Sequence, residues 1–293
     1  MKPLVSIITP TFNHEKYISQ CIYSVINQTY KKWEMIVIDD ASTDKTFSIV
    51  KDFSKKDRRI KVIRHKTNWG IKRLKEIYNQ ALRYAKGDLI AILEGDDFLP
   101  KDKLEKQIKA FDDKSVIFSY GNWAMANQSG KTVYIRNYNK NKFNKEFLNN
   151  DPPPSILNLF LTLKFDIGSQ TVMIRKKTLL DIGGFQNDKH YPFVDIPTYL
   201  ALSLKGKFTY IPYLLGYYRR TKKSCWFNFA SLSKTMGREE IKKCINNFVK
   251  NKTKDFSKTL DWDKIEKEQN RYLLKRRLFR FLSIGVNRLM AEF

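Results

Sequence analysis

Apolar residues are arranged along the first hundred positions in two alternating ways. Short runs at Leu4-Val5-Ser6-Ile7-Ile8, Met35-Ile36-Val37-Ile38 and Leu89-Ile90-Ala91-Ile92-Leu93, and a shorter one at Ile60-Lys61-Val62-Ile63, have the length expected of strands buried on both faces. Between them the apolar positions recur at helical spacing: Ile18, Cys21, Ile22 and Val25; Phe47, Val50 and Phe53; and Leu74, Ile77, Tyr78, Ala81, Leu82 and Ala85. Gly87 is expected to stop the third of these helices, and Asn68-Trp69-Gly70 to turn the chain before it. Four strand–helix alternations in so short a length predict an α/β fold whose first half is a parallel sheet with right-handed crossovers.

Past Phe111 the pattern changes. Val116-Ile117-Phe118-Ser119-Tyr120 reads as a further strand, and the Asn- and Lys-rich stretch from Asn127 to Asn150 as a surface excursion. Asp151-Pro152-Pro153-Pro154 predicts a rigid extended connector, followed by a short helix at Ile156, Leu159, Phe160 and Leu163 capped by Ser155. Thr171 to Arg175 is strand-like and Thr178 to Ile182 helical. Gly183-Gly184-Phe185 is a turn, and Asp195 stands at the start of a helix carrying Tyr199, Leu200, Leu202 and Leu204.

Candidate chemistry sits where strands end. Asp39-Asp40 and Asp44 follow the second strand, and Glu94-Gly95-Asp96-Asp97 follows the fourth, ahead of a helix expected to begin at Pro100. Open α/β sheets bind ligands at the carboxyl ends of their strands, and carboxylates packed this closely repel unless a cation neutralises them. A divalent ion carrying phosphate, Mg²⁺ or Mn²⁺ on hard oxygen ligands, is the economical occupant. The structural alternative is an acidic turn that caps the following helix. Neither a Gly-x-Gly-x-x-Gly fingerprint nor a Gly-Lys-Ser/Thr loop is present, so phosphate has to be held another way. Asp195, in aromatic and apolar company, is either a helix cap or a general base whose pKa is tuned upward.

The 293 residues are 42% hydrophobic, enough for a sizeable core, and carry a formal charge of +25. Such a balance calls for an anionic partner: nucleic acid, an acidic membrane face or a phosphorylated substrate. Cys21, Cys225 and Cys244 lack metal-ligand spacing and read as reduced thiols. Met1-Lys2-Pro3 leads straight into the first strand, and no apolar run approaches the roughly 20 residues of a membrane span. The expectation is a cytoplasmic protein, soluble or peripheral on the inner face of the membrane.

These residues resemble the family-2 glycosyltransferases of the GT-A fold over positions 4 to 220. The resemblance is carried, in order, by Ser6-Ile7-Ile8-Thr9-Pro10-Thr11-Phe12-Asn13, Ser24-Val25-Ile26-Asn27-Gln28-Thr29, Ile38-Asp39-Asp40-Ala41-Ser42-Thr43-Asp44, Leu93-Glu94-Gly95-Asp96-Asp97, and Gly183-Gly184-Phe185 with Asp195. It implies a GT-A-like mixed sheet with a parallel, helix-flanked nucleotide-binding half (1–113), an acceptor half (114–225) and a C-terminal helical appendage (226–293). It also implies Thr9, Pro10 and Thr11 lining the nucleotide pocket, Asp40 reading the base, Asp96 on the ribose, Asp97 with Glu94 at an Mn²⁺ or Mg²⁺ ion, and Asp195 as base. The family often has Asp at the position of Glu94 and Glu at that of Val194, so this chain's base lacks a charged neighbour.

The implied reaction is an inverting transfer from a nucleotide-diphospho-sugar to the hydroxyl of a glycan or lipid-linked acceptor, in surface polysaccharide or lipopolysaccharide assembly. Lys72 or Arg73, and Arg219 or Arg220, are candidate cations for the leaving diphosphate; each is otherwise a solvated charge. A nucleic-acid-binding protein would explain the charge but not the acids at strand ends, which repel phosphate unless metal intervenes. A sugar-phosphate nucleotidyltransferase would need a Gly-rich basic loop where Pro10-Thr11-Phe12-Asn13 stands. The tail, with Leu and Phe residues among Arg271, Lys275, Arg276, Arg277, Arg280 and Arg288, reads as an amphipathic helix lying on anionic lipid or packed on the domain.

Overall fold

The computed structural model describes residues 2–140, 143–189, 191–221 and 237–289, the last thirteen of these as backbone only. Strands β1 (Val5–Thr11), β2 (Trp33–Asp39), β3 (Ile60–Arg64) and β4 (Leu89–Ile92) alternate with helices α1 (Ile18–Ile26), α2 (Thr46–Lys56) and α3 (Leu74–Tyr84). Next come α4 (Lys103–Ile108), β5 (Val116–Ala126), β6 (Thr132–Arg136), α5 (Lys145–Asn149), α6 (Leu157–Leu161), β7 (Met173–Arg175), α7 (Lys176–Asp181), α8 (Asp195–Ser203) and β8 (Lys207–Arg219). Helices α9 (Arg238–Lys252), α10 (Lys254–Lys258) and α11 (Trp262–Leu289) follow.

The described strands form one mixed sheet in the order β3-β2-β1-β4-β7-β5-β6, with β8 paired to β5. The pairings among β1, β2, β3 and β4 are all parallel, as the alternation predicts. Every residue of β1 and β2 is buried, because helices cover both faces. Alternate side chains feed opposite layers: Ile8, Ile36, Ile38, Ile90 and Ile92 pack toward α3, whereas Ile7, Met35, Val37, Leu89 and Ala91 pack with α1 and α2. Strand β7 then enters antiparallel beside β4 and joins it to β5, which starts the second half. The C-terminal helices share its core through Ile241, Cys244, Ile245, Val249 and Leu273.

Several local expectations change on folding. Helix α3 ends at Tyr84, with Ala85 already extended, so Gly87 is not its cap. Gly87 instead lets the chain pass close to β1: a Cβ there would lie 2.6 Å from Leu4 O and 2.7 Å from Ser6 N. Residues 152–155 form turns, not an extended connector. Ser155 does not cap α6; its hydroxyl donates to Glu146 O, and the Ile156 amide is taken by the buried Asn150 Oδ1 at 3.1 Å. Asn150 also donates to Ser203 O and Gly206 O, which fastens this segment under β8. Helix α4 begins at Lys103, three residues after Pro100, whose carbonyl is held by Gln28 Nε2 at 2.8 Å. The 127–150 excursion contains the exposed strand β6, and also buries Tyr138 and Leu148. Cys225 and the side chains of 277–293 lie outside the described residues.

Candidate active site

Three loops leave the carboxyl ends of the adjacent strands β2, β1 and β4, and backbone bonds tie them together. The Asp40 amide donates to Thr11 O at 2.9 Å and the Gly95 amide to Pro10 O at 3.1 Å. Thr9, Pro10, Thr11, Asp40, Glu94, Asp96 and Asp97 therefore stand at one end of one sheet. Gly95 is needed for this close approach, since a Cβ would collide with Thr11 Oγ1 and lie 2.8 Å from His14 Nδ1. Thr9 is fully enclosed, and its hydroxyl meets no partner among the described residues.

Asp40 anchors the 65–70 loop. Its Oδ1 accepts from the Trp69 amide at 2.9 Å and lies 2.6 Å from His65 Nδ1, while Oδ2 accepts from the Gly70 amide at 2.9 Å and Asn68 Nδ2 at 3.0 Å. The carboxylate's four acceptor directions are thus in use, and a base imide would reach it by exchanging with one of them. His65 stacks on Trp69 with centroids 3.9 Å apart, and the Arg73 guanidinium lies 3.9 Å from the Trp69 ring on the same turn. A groove lined by Ser42, Thr43, Asp44, Arg64, His65 and Lys66 opens beside this loop. Asp39, beneath it, has no exposure; burial raises its pKa even though Ser42 and the Arg64 guanidinium at 3.3 Å favour the charged form.

The acid cluster is held by residues distant in sequence. Asp97 is 2% exposed, and its Oδ1 accepts from the Arg219 amide at 2.7 Å. Burial raises its carboxyl well above the usual range, and the charges of Asp96 and Glu94 raise it further. Glu94 is raised by burial too, but both its oxygens are engaged: Tyr78 donates to Oε1 at 2.6 Å and Ser169 to Oε2 at 3.1 Å. Asp96 Oδ2 lies 3.9 Å from His14 Nε2. Arg219 is buried and fully spent on structure. Its Nε donates to Asp96 O at 2.8 Å, and its terminal nitrogens donate to Gln128 O at 2.8 Å and to Gln20 Oε1. It is a strut under the acid turn, not a cation free to meet a diphosphate.

These features fit a hard divalent ion better than a capping turn. Adjacent carboxylates raise one another's pKa, the state that a cation relieves. Among the described residues no group of three His, Cys, Asp or Glu side chains could hold a metal unaided. Mg²⁺ or Mn²⁺ is commonly bound by one or two carboxylates together with substrate phosphates, so an ion here would need the donor's phosphates as further ligands. Asp97 would hold the ion through the oxygen that Arg219 leaves free, and Glu94 would reach it by exchanging one of its two hydroxyl partners.

Asp195 opens α8 but does not cap it, and among the described residues its Oδ1 is closed off from solvent without a partner. Burial lifts its pKa from the ordinary 3.8 to about 6, against the Ile196 amide and the Tyr191 hydroxyl, which favour the ionised form. The buried hydroxyls of Tyr78 and Tyr199 each feel the charges of both Asp195 and Glu94, which raise their pKa values further above the effect of burial. Sequence patterning marked neither tyrosine as functional, because each sits at a helical core spacing; Ser169, His14 and Gln20 carried no signal at all.

Comparison with known proteins bears on the family and the fold. The model described as Glycosyl transferase family 2 matches residues 6–180. TuaG of Bacillus subtilis (strain 168), provisionally named a teichuronic acid biosynthesis glycosyltransferase, is 35% identical over 206 residues, covering 70% of this chain and 74% of its own. The Escherichia coli β-1,3-glucosyltransferase WfgD, named as transferring from UDP-Glc to α-D-GlcNAc-diphosphoundecaprenol, is 42% identical over 145 residues, 48% of this chain and 55% of its own. Two solved structures share the fold. The mannosyltransferase PcManGT of Pyrobaculum calidifontis, in complex with GDP-Man and Mn²⁺, superposes with TM-score 0.59 at 20% identity, covering 80% of this chain and 62% of its own. S. aureus TarS 1–349 with UDP-GlcNAc gives 0.57 at 20% identity, covering 89% and 77%. With five motifs in order, a GT-A-like sheet and a family match over more than half its length, the chain belongs to glycosyl transferase family 2.

Proposed function

We propose that the chain transfers a sugar from a nucleotide-diphospho-sugar to an acceptor hydroxyl with inversion, using Asp195 as general base. The observation that carries this reading is Asp195 Oδ1, buried without a partner among the described residues, on a carboxyl lifted to about 6. A base tuned toward neutrality, with one oxygen shielded from water, is suited to take an acceptor proton as the hydroxyl attacks the anomeric carbon. Attack in line with the departing diphosphate inverts that carbon. Thr9, Pro10 and Thr11 would line the nucleotide pocket, Asp40 would select the base, and Asp96 the ribose. A divalent ion bound by Asp97 would supply charge stabilisation for the diphosphate.

Similarity to WfgD and TuaG supports an acceptor in surface polysaccharide assembly, lipid-linked in the WfgD case. A basic protein with no described helix long and apolar enough to cross a membrane fits a peripheral place on anionic lipid at the cytoplasmic face. The deciding experiment is calorimetry of UDP and GDP with and without Mn²⁺, on wild type and Asp97→Asn. Because ion and nucleotide hold each other, the variant should lose metal-dependent affinity. Unchanged nucleotide affinity in Asp97→Asn would remove the ion from the reading.

A further inference from the structure

On the antiparallel side of the sheet, next to Glu94, lie buried polar groups that the donor chemistry leaves unused. Gln170 is 1% exposed, yet its amide nitrogen meets no acceptor among the described residues. The Trp123 indole N–H is in the same state: it lies toward the Tyr138 hydroxyl but outside hydrogen-bonding geometry. Both side chains close on Gly168, where a Cβ would lie 3.1 Å from Gln170 Nε2 and 3.1 Å from Trp123 Cδ1. Ser169, the next residue, donates to Glu94 Oε2, so Gly168 and Gln170 adjoin the acid cluster. Trp123 is only half-buried, and its ring meets Tyr134, 46% exposed on β6, edge-on at 6.1 Å.

Leaving a buried N–H without a partner costs about 1–3 kcal/mol, so two of them around a partly open indole describe a surface completed by a ligand. That ligand needs an apolar face to lie on the ring and a rim of acceptors. A pyranose has both, in its C–H groups and its hydroxyls. A phosphate or a nucleotide's charged end is disfavoured there by Glu94. We propose that Trp123, Gly168 and Gln170 form the subsite for the acceptor's terminal sugar, with its ring on the indole and a hydroxyl on the Gln170 amide. This rests on the transferase reading above and assigns its acceptor end.

The test is saturation-transfer NMR on the full chain with Mn²⁺ and UDP or GDP, using the methyl glycosides of glucose, galactose, mannose and N-acetylglucosamine as probes. Wild type should bind at least one of them saturably. Trp123→Ala should weaken that binding by about tenfold or more, and Gln170→Met, close in volume but without the N–H, by about three- to tenfold. Nucleotide affinity, read by calorimetry, should stay unchanged in both. Should Trp123→Ala not fold, Trp123→Phe and Gln170→Met decide. Glycoside affinity unaltered in the folded variants, or no saturable glycoside binding to nucleotide-loaded wild type, overturns the subsite. Failure of wild type to bind either nucleotide overturns the transferase reading itself, and is seen before any variant is used.

Discussion

Replacing Asp195 with Asn should make the protein more stable and inactive at once. In the native state burial holds the Asp195 proton up to about pH 6, whereas the unfolded chain releases it near the ordinary 3.8. Between those values the native state binds more protons, so stability falls as pH rises from 4 to 6 and stays low above that. A shift of roughly two units corresponds to about 3 kcal/mol; the side chain is partly exposed, and screening reduces the expected cost to about 1–3 kcal/mol. Asp195→Asn keeps the shape and removes the charge. At pH 7 it should therefore gain about 1–3 kcal/mol, or several degrees in Tm at about 2–4 °C per kcal/mol. The gain should vanish at pH 4, where the native carboxyl is already neutral. Transfer should fall by roughly 10²–10⁴ while donor affinity persists. Wild-type kcat should rise with pH through a midpoint near 6, as the base ionises. Thermal unfolding of both proteins at pH 4 and 7, with turnover at pH 7, tests the argument. An Asn variant no more stable at pH 7 than wild type, or one with near-normal turnover, refutes it.

Further outcomes follow from other buried charges. Lys103 is wholly buried with one carbonyl, Val172 O at 3.2 Å, and burial lowers its pKa from 10.5 to about 7. Between those values the unfolded chain binds more protons, so this residue makes stability rise with pH above 7; Lys103→Met should stabilise by about 2–4 kcal/mol at pH 7, and by less at pH 9, in denaturant titrations. Equal stability of variant and wild type at pH 7 would show that the amine is solvated. Arg219→Lys cannot reproduce bonds in three directions, and should lose about 2–4 kcal/mol of stability together with metal-dependent nucleotide affinity; a variant within 0.5 kcal/mol of wild type refutes the strut. In the tail, Leu273 is 2% exposed and belongs to the core, so truncation belongs after Arg276. A chain ending there should keep its fold and nucleotide affinity but lose sedimentation with anionic liposomes, and retained sedimentation would place docking elsewhere.

The nucleotide-binding half was legible because its information is local. A strand covered on both faces has to be apolar throughout, as β1 and β2 are, and a helix laid on it has to repeat near 3.6 residues, as α3 does. Acids immediately after such strands fall at one end of a parallel sheet whatever follows, which is why Asp40, Asp96 and Asp97 could be placed from position alone. Asp195 was legible as a helix-start acid whose apolar surroundings could tune its pKa upward, but the lack of a capping bond and of any partner for Oδ1 among the described residues was not.

What only the tertiary structure decided are the partners. Arg219 supports Asp97 from 122 positions away, Ser169 reaches Glu94 from 75, and Asn150 fastens Ser203 from 53. Periodicity reports which face of an element is buried, not what covers it, so the turn of the sheet from parallel to antiparallel at β7 left no trace in the pattern. That turn brings Gly168, Ser169 and Gln170 to the end of β4, beside Trp123 on β5. For the same reason Gly87, which looks like a helix stop, proves to be a point of close backbone approach. The sequence alone thus determined the elements and the sign of charge at their ends; the packing of distant segments decided which of those charges are free to do chemistry and which are held.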